Sequence, residues 1–381
     1  MRGGTMTATE PTRSAPQTPP ALDAERAERF AEHLMELTTG GMLSHLIGIG
    51  HRTGLFDALA SGPADSPTLA RRANLHERYV REWLGAMATG GIVSYDPGEG
   101  SFTLPAEHAV CLRGSTAANL APFTLAVAHL GEHLDELEEA FRHGGGVPYE
   151  RFRPRFTEIM DGMSRGVFDD QLISGIVPAV PGLAERLSAG ARVADIGCGT
   201  GHSVTLLAAE YPASTFTGYD FASDALDRGR AEVAERGLAN ASFQALDIVE
   251  LPTDPPFDVV FAFDTIHDQA EPARVLRRVH DALVPGGRFV MLDTRAATEL
   301  ADNLDNPFAP LLYSVSTLHC MTVSLARGGA GLGTVWGEQL ARRMLAEAGF
   351  TDVAVSEVPD DPLDSVYSCR RPEPVTDRTT R

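Results

Sequence analysis

The chain has 381 residues, with 32 basic against 52 acidic side chains and a formal net charge of -20. That length supports two domains with cores of their own, and the negative balance repels nucleic-acid phosphates and anionic membranes, so neither is an expected partner. Every basic residue is arginine, which removes lysine Schiff-base chemistry, and Cys111, Cys198, Cys320 and Cys369 are too scattered for a disulfide framework or a cysteine-rich zinc site, as fits a reducing cytoplasm.

No long apolar segment follows Arg2, and no 18-residue apolar stretch is apparent further on, so a soluble, unexported protein is expected. Residues 1–22, with Pro11, Pro16, Pro19 and Pro20, read as a disordered tail. Residues 23–148 read as a mainly helical domain. One helix starts at Asp23 with Phe30, Leu34 and Leu37 on one stripe, and a second runs from Gly41 through Ala60. Ser66-Pro67 opens a third, Arg78 to Ala88 forms a fourth, and the runs 91–95 and 101–104 make a ribbon about a 96–100 turn. Three helices and a wing resemble a winged helix-turn-helix. Its acidic tip, Asp96 and Glu99, points to a protein–protein module rather than a DNA reader, and the apolar load of the first helices points to a homodimer. His129 and His133, on the following helices, read as solvated.

Residues 149–190 read as linker helices roofing a site, with Phe156, Met160, Met163 and Phe168 as an apolar stripe and Arg165 as a candidate partner for a substrate carboxylate. From 191 to 371 strands and helices alternate (192–196, 202–210, 214–219, 222–236, 241–246, 257–263, 271–283, 287–293), the pattern of an α/β, Rossmann-like doubly wound parallel sheet. A long insertion, 294–335, precedes a last helix and a terminal hairpin, and 372–381 reads as a tail. Within the insertion, the glycine-rich stretch 328–333 reads as a mobile lid hinge. His202 and His280 read as surface residues of their helices.

The stretch Val193-Ala194-Asp195-Ile196-Gly197-Cys198-Gly199-Thr200-Gly201 is an apolar strand ending in an acid, then a glycine turn into a helix. Such a turn brings backbone N–H groups close to a cofactor. Its third glycine comes one residue too early for a dinucleotide fingerprint, which argues against NAD. Asp220, followed by Phe221, ends the next strand where a ribose would be held. Asp247 and Ile248 follow the third strand, where an adenine edge would lie, and Phe263 ends the fourth. These residues resemble the class I S-adenosylmethionine (SAM) methyltransferases over roughly the C-terminal half of the chain, and the resemblance implies SAM as cofactor.

After the fourth strand, His267-Asp268 resembles the His-Asp pair of small-molecule O-methyltransferases, in which the histidine takes the proton from a substrate hydroxyl. The insertion supplies His319. His267, Asp268 and His319 together resemble the ligands of metal-dependent methyltransferases that methylate the β-carbon of 2-oxo acids, and two imidazoles with one carboxylate suit iron or zinc. Metal-assisted C-methylation is therefore the expected reaction, with histidine-driven O-methylation as the alternative. A SAM-sensing transcriptional regulator is the reading the acidic balance disfavours.

Overall fold

A computed structural model describes residues 22–359 and 361–374. The tails expected at 1–22 and 372–381 lie almost wholly outside the described residues. The chain divides into a first unit ending at Met42 and a second from Leu43 on.

The first long helix, α1 (Ala24–Arg52), is continuous where a break had been expected at Gly40-Gly41. No neighbouring atom lies within 4 Å of where either Cβ would stand, so the two glycines lower helix propensity without forcing a turn. The chain reverses instead at Gly54, whose φ of 71° a side chain would resist, and α2 (Leu55–Ala60) follows. In α3 (Ser66–Ala73) the Asp65 carboxylate accepts from the Thr68 N–H at 2.9 Å and Pro67 sits in the first turn. After α4 (Glu77–Thr89), strands β1 (Ser94–Asp96) and β2 (Ser101–Thr103) pair antiparallel, with Tyr95 opposite Phe102. Leu59, Leu69, Leu84 and Met87 bury the centre of this winged module.

Helices α5 (Ala106–Leu112), α6 (Ala121–Gly131), α7 (Leu134–His143), α8 (Tyr149–Phe152) and α9 (Arg155–Val167) lead into a π-helical stretch, Phe168–Ile176, and α10 (Leu183–Ala189). The C-terminal half then runs β3 (Arg192–Ile196), α11 (His202–Glu210), β4 (Thr215–Asp220), α12 (Ser223–Glu235), β5 (Ala241–Ala245), β6 (Phe257–Phe263), α13 (Pro272–Ala282) and β7 (Leu283–Thr294). The insertion folds as α14 (Ala309–Val315), a π-helical turn Ser316–Cys320 and α15 (Met321–Ala326). It is followed by α16 (Gly337–Glu347), β8 (Thr351–Glu357) and β9 (Asp364–Arg370).

The seven strands order as β5-β4-β3-β6-β7-β9-β8, parallel from β5 to β7 and closed by the antiparallel pair β9 and β8. Both faces are covered, so the central strands are apolar throughout rather than alternating. On β6 and β7, Val260, Ala262, Phe289 and Met291 bury on one face, and Val259, Phe261, Val290 and Leu292 on the other. The order reverses between β3 and β6, which places the ligand crevice beyond their carboxyl ends.

One expectation about the insertion does not hold. Ala309–Ala326 is 18 residues long with a mean hydropathy of 1.2, which is long and apolar enough to cross a membrane by those measures alone. Here 44% of it is buried, and it carries His319, Cys320, Thr322 and Ser324 into the interior, a pattern a core helix also shows.

Candidate active site

A cavity of about 530 Å³ opens beyond the carboxyl ends of the strands, lined among others by Gly197, Asp220, Phe221, Asp247, Ile248, Thr265 and Asp268. The glycine turn builds its floor. Gly197 has φ 67°, and a Cβ there would run into the Thr265 side chain; a Cβ on Gly201 would strike the Phe243 ring. The Asp220 carboxylate accepts from the Gly199 N–H at 2.9 Å and from the Ala222 N–H at 2.8 Å, one bond on each oxygen. Each oxygen keeps a further lone pair for a ribose hydroxyl. Asp247 caps the short helical turn after β5 and stays exposed on the cavity wall beside Ile248. The residues present therefore fit SAM, with acids placed for a nucleoside.

Four residues expected to touch the cofactor are not part of this lining: Gly199, whose N–H donates to Asp220, and Asp195, Gly201 and Phe263. Asp195 is buried against α11, accepts from Ser203 Oγ at 2.5 Å, and is pushed up to about 7 by burial. Phe263 packs edge-on against Phe168 at 5.1 Å, and Gly201 serves close helix packing, as the position of a third glycine requires.

His267 follows β6 just after Asp264, whose φ of 48° marks a tight turn at the strand end. Its Nδ1 lies 2.8 Å from Asp293 Oδ1, and its Nε2 lies 3.4 Å from Asp268 Oδ1. Asp293 is fully buried at the end of β7 and also accepts from Trp336 Nε1 and the Thr294 N–H. Burial depresses the His267 pKa, but the charges of Asp293 and Asp268 outweigh it and hold the imidazole well above its ordinary value. Asp293 escaped the sequence reading, although an acid closing an apolar strand was the signal that had singled out Asp195 and Asp220.

His319 Nδ1 approaches the other oxygen of Asp268 at 3.9 Å, so Asp268 stands between the two histidines. The ring is stacked on Phe156 at 3.8 Å, and burial pushes its pKa down to about 4. Neither His319 nitrogen nor Asp268 Oδ1 has a hydrogen-bond partner, which is the condition of atoms that suit a cation. Yet His319 does not complete a compact donor set. Among the described residues the groups with three donor atoms within 4.8 Å of one another are His267-Asp268-Cys320 and Asp264-His267-Asp293. The π-helical turn Ser316–Cys320 turns two consecutive side chains inward, and Cys320 is the one that meets His267.

Four further expectations change. Arg165 is not free for a substrate: it bonds Asp161, Glu232 and His202. His202 is buried in that network with Asp169 and Glu232. His129 and His133 are buried around Phe152 and Phe156, and His280 packs on Phe350. The stretch 328–333 is tied down: Gly329 and Gly331 donate to Ser324, Ala330 to Ala270, and Gly333 to His267. Tyr149 and Arg327, missed in the sequence, stand on the cavity wall.

The fold and the glycine-turn site define a class I SAM-dependent methyltransferase with an N-terminal winged-helix domain. Residues 41–113 match the Rv2258c-like winged HTH domain, and 187–349 match the methyltransferase domain family. Acetylserotonin O-methyltransferase of Mus musculus molossinus is 30% identical over 318 residues, 77% of this chain and 79% of that protein. The chain belongs to the same SAM-dependent methyltransferase family. Trans-aconitate 2-methyltransferase of Methylobacterium nodulans is 34% identical over 130 residues, 34% of this chain, and the match spans 46% of that relative. The human N-acetylserotonin methyltransferase, solved with SAM, superposes with a TM-score of 0.65 over 93% of this chain and 100% of its own at 18% identity.

Proposed function

We propose that the protein methylates a hydroxyl group of a small molecule, with His267 as the base. The observation that carries this reading is the 2.8 Å contact of His267 Nδ1 with buried Asp293, which fixes the ring and leaves Nε2 to accept a proton beside the cavity wall at Asp268. When bound, SAM supplies the electrophilic methyl. The chain's own residues hold the nucleoside through Asp220 and Asp247, align the acceptor and remove its proton. Support comes from the relative that matches 77% of the chain and is named as an O-methyltransferase. In this reading residues 23–148 build a cytoplasmic homodimer, 149–190 roof the cavity and 191–371 carry the chemistry, with no nucleic-acid or membrane partner. Mass spectrometry and NMR of products from SAM with phenolic, alcoholic and 2-oxo acid acceptors decide it: an ether supports the reading, and a new C–CH₃ bond sinks it.

The unpartnered atoms around Asp268 favour a second reading, metal-assisted C-methylation of a 2-oxo acid. His267 and Asp268 would be among the ligands of the iron or zinc, which would supply Lewis acidity toward the keto oxygen. Its test is exchange of the acceptor's β-hydrogens with deuterated water when S-adenosylhomocysteine replaces SAM.

A further inference from the structure

Cys320 belongs to neither reading. It is buried, and its Sγ, a His267 ring nitrogen and an Asp268 oxygen all fall within 4.8 Å of one another. We propose that His267, Asp268 and Cys320 form a binding site for a thiophilic divalent cation, zinc above all, with the Cys320 sulfur rather than His319 as the third ligand.

Three features carry this. The donors are a nitrogen, an oxygen and a sulfur, a set that selects zinc or cobalt over magnesium and calcium, which take oxygen. The imidazole is already braced from behind. His267 Nδ1 is bonded to Asp293, and Asp293 is fixed in turn by Trp336 Nε1 at 3.0 Å, the carboxylate–histidine support that metal-ligating imidazoles use. Asp268 Oδ1, on the His267 side, is buried without a hydrogen-bond partner and is therefore available to a cation. His319 is placed differently: its ring is held flat on Phe156, and its Nδ1 stays 3.9 Å from Asp268 Oδ2, on the far side of the carboxylate.

The site rests on geometry common to both functional readings, and its occupation has opposite consequences in them. If hydroxyl methylation by a His267 base is the reaction, a cation on Nε2 masks the base and zinc inhibits. If a metal assists C-methylation, zinc or its replacement supports turnover.

The test uses the full-length protein, stripped of metal and titrated with Co(II). One equivalent should bind and give a near-ultraviolet sulfur-to-cobalt charge-transfer band. Cys320→Ser should lose that band and bind zinc at least 10-fold more weakly, whereas His319→Ala should keep it. X-ray absorption on the zinc-loaded wild-type protein needs no variant and should show a sulfur scatterer at about 2.3 Å. Cobalt bound without sulfur, and lost in His319→Ala, overturns the proposal while leaving a metal-assisted reaction standing. Failure to bind either ion overturns the proposal. Methyl transfer measured with and without zinc then separates the two readings independently of the spectrum.

Discussion

Nδ1 of His267 lies 2.8 Å from Oδ1 of Asp293; His267 stands in the loop that follows β6, and Asp293 lies near the end of the neighbouring parallel strand β7. The carboxylate is wholly buried, so its charge acts on the imidazole with little screening.

Removing the base should cost methyl transfer on the order of 10²- to 10⁴-fold in kcat, with SAM affinity kept. His267→Gln tests this by steady-state kinetics and calorimetry. The pH profile carries the sign of the electrostatics. A raised His267 pKa keeps the ring protonated to higher pH, so the acid limb of kcat/KM should lie above the ordinary histidine range. Asp293→Asn takes away the charge that raises it and should move that limb to lower pH while lowering the plateau. An unmoved limb would show that another group titrates there.

Asp220 should hold the ribose hydroxyls. Losing a charge-assisted pair of contacts should weaken SAM by about 2–3 kcal/mol, or about 30- to 150-fold in Kd. Asp220→Ala also frees the Gly199 and Ala222 N–H groups, so Asp220→Asn, which keeps one acceptor oxygen, is the companion. Unchanged binding by calorimetry in both would remove Asp220 from the cofactor site.

The centre of the sheet was legible because the apolar stretches of β3, β6 and β7 are bounded by Gly, Asp and Pro; β3 and β6 fall on the residues the pattern gave, 192–196 and 257–263. The glycine turn and Asp220 were legible because backbone geometry demands those residue types at that spacing. What escaped is what tertiary packing decides. His202, His129 and His133 look like surface histidines in the sequence because their partners, Asp169, Glu232 and Phe152, lie on other helices. The inward turn of Cys320 depends on a π-helical widening, which leaves no mark in periodicity. Arg165 was singled out for its charge, but three neighbours already satisfy it.

Arg165 should accordingly matter to stability and not to catalysis. Arg165→Met removes the cation that Asp161 and Glu232 share around buried His202, and should lower stability by about 1–3 kcal/mol. Its acceptor KM should match that of the wild type. A KM raised 10-fold at unchanged melting temperature would restore the substrate role.

Asp195 gives a pH dependence of stability. Its carboxyl titrates near 3.8 when unfolded and is pushed up to about 7 in the fold by burial, which outweighs the opposing hydrogen bond from Ser203 and is aided by the charge of Asp220. Between those values the folded protein holds the extra proton, so this group's contribution to stability should fall as pH rises from about 4 to about 7 and then level off. Asp195→Asn keeps an acceptor for Ser203 and cannot ionise. Thermal melts from pH 5 to 8 should show the variant gaining on the wild type as pH rises, and parallel curves would rule out Asp195 as the source.

On α1, Phe30, Leu34 and Leu37 repeat at helical spacing and are 63%, 44% and 61% exposed, with Met35 and Met42 beside them. Monomeric proteins rarely leave a contiguous apolar stripe in water, and a second copy of this chain would cover it symmetrically. Light scattering should then report twice the chain mass of 40.7 kDa. Phe30→Glu with Leu37→Glu places charge in the stripe at exposed positions, so it should release monomers without altering the circular dichroism of the fold. A wild-type protein that scatters as a single chain at micromolar concentration would sink the dimer, and a doubly substituted protein that stays dimeric would move the interface away from α1.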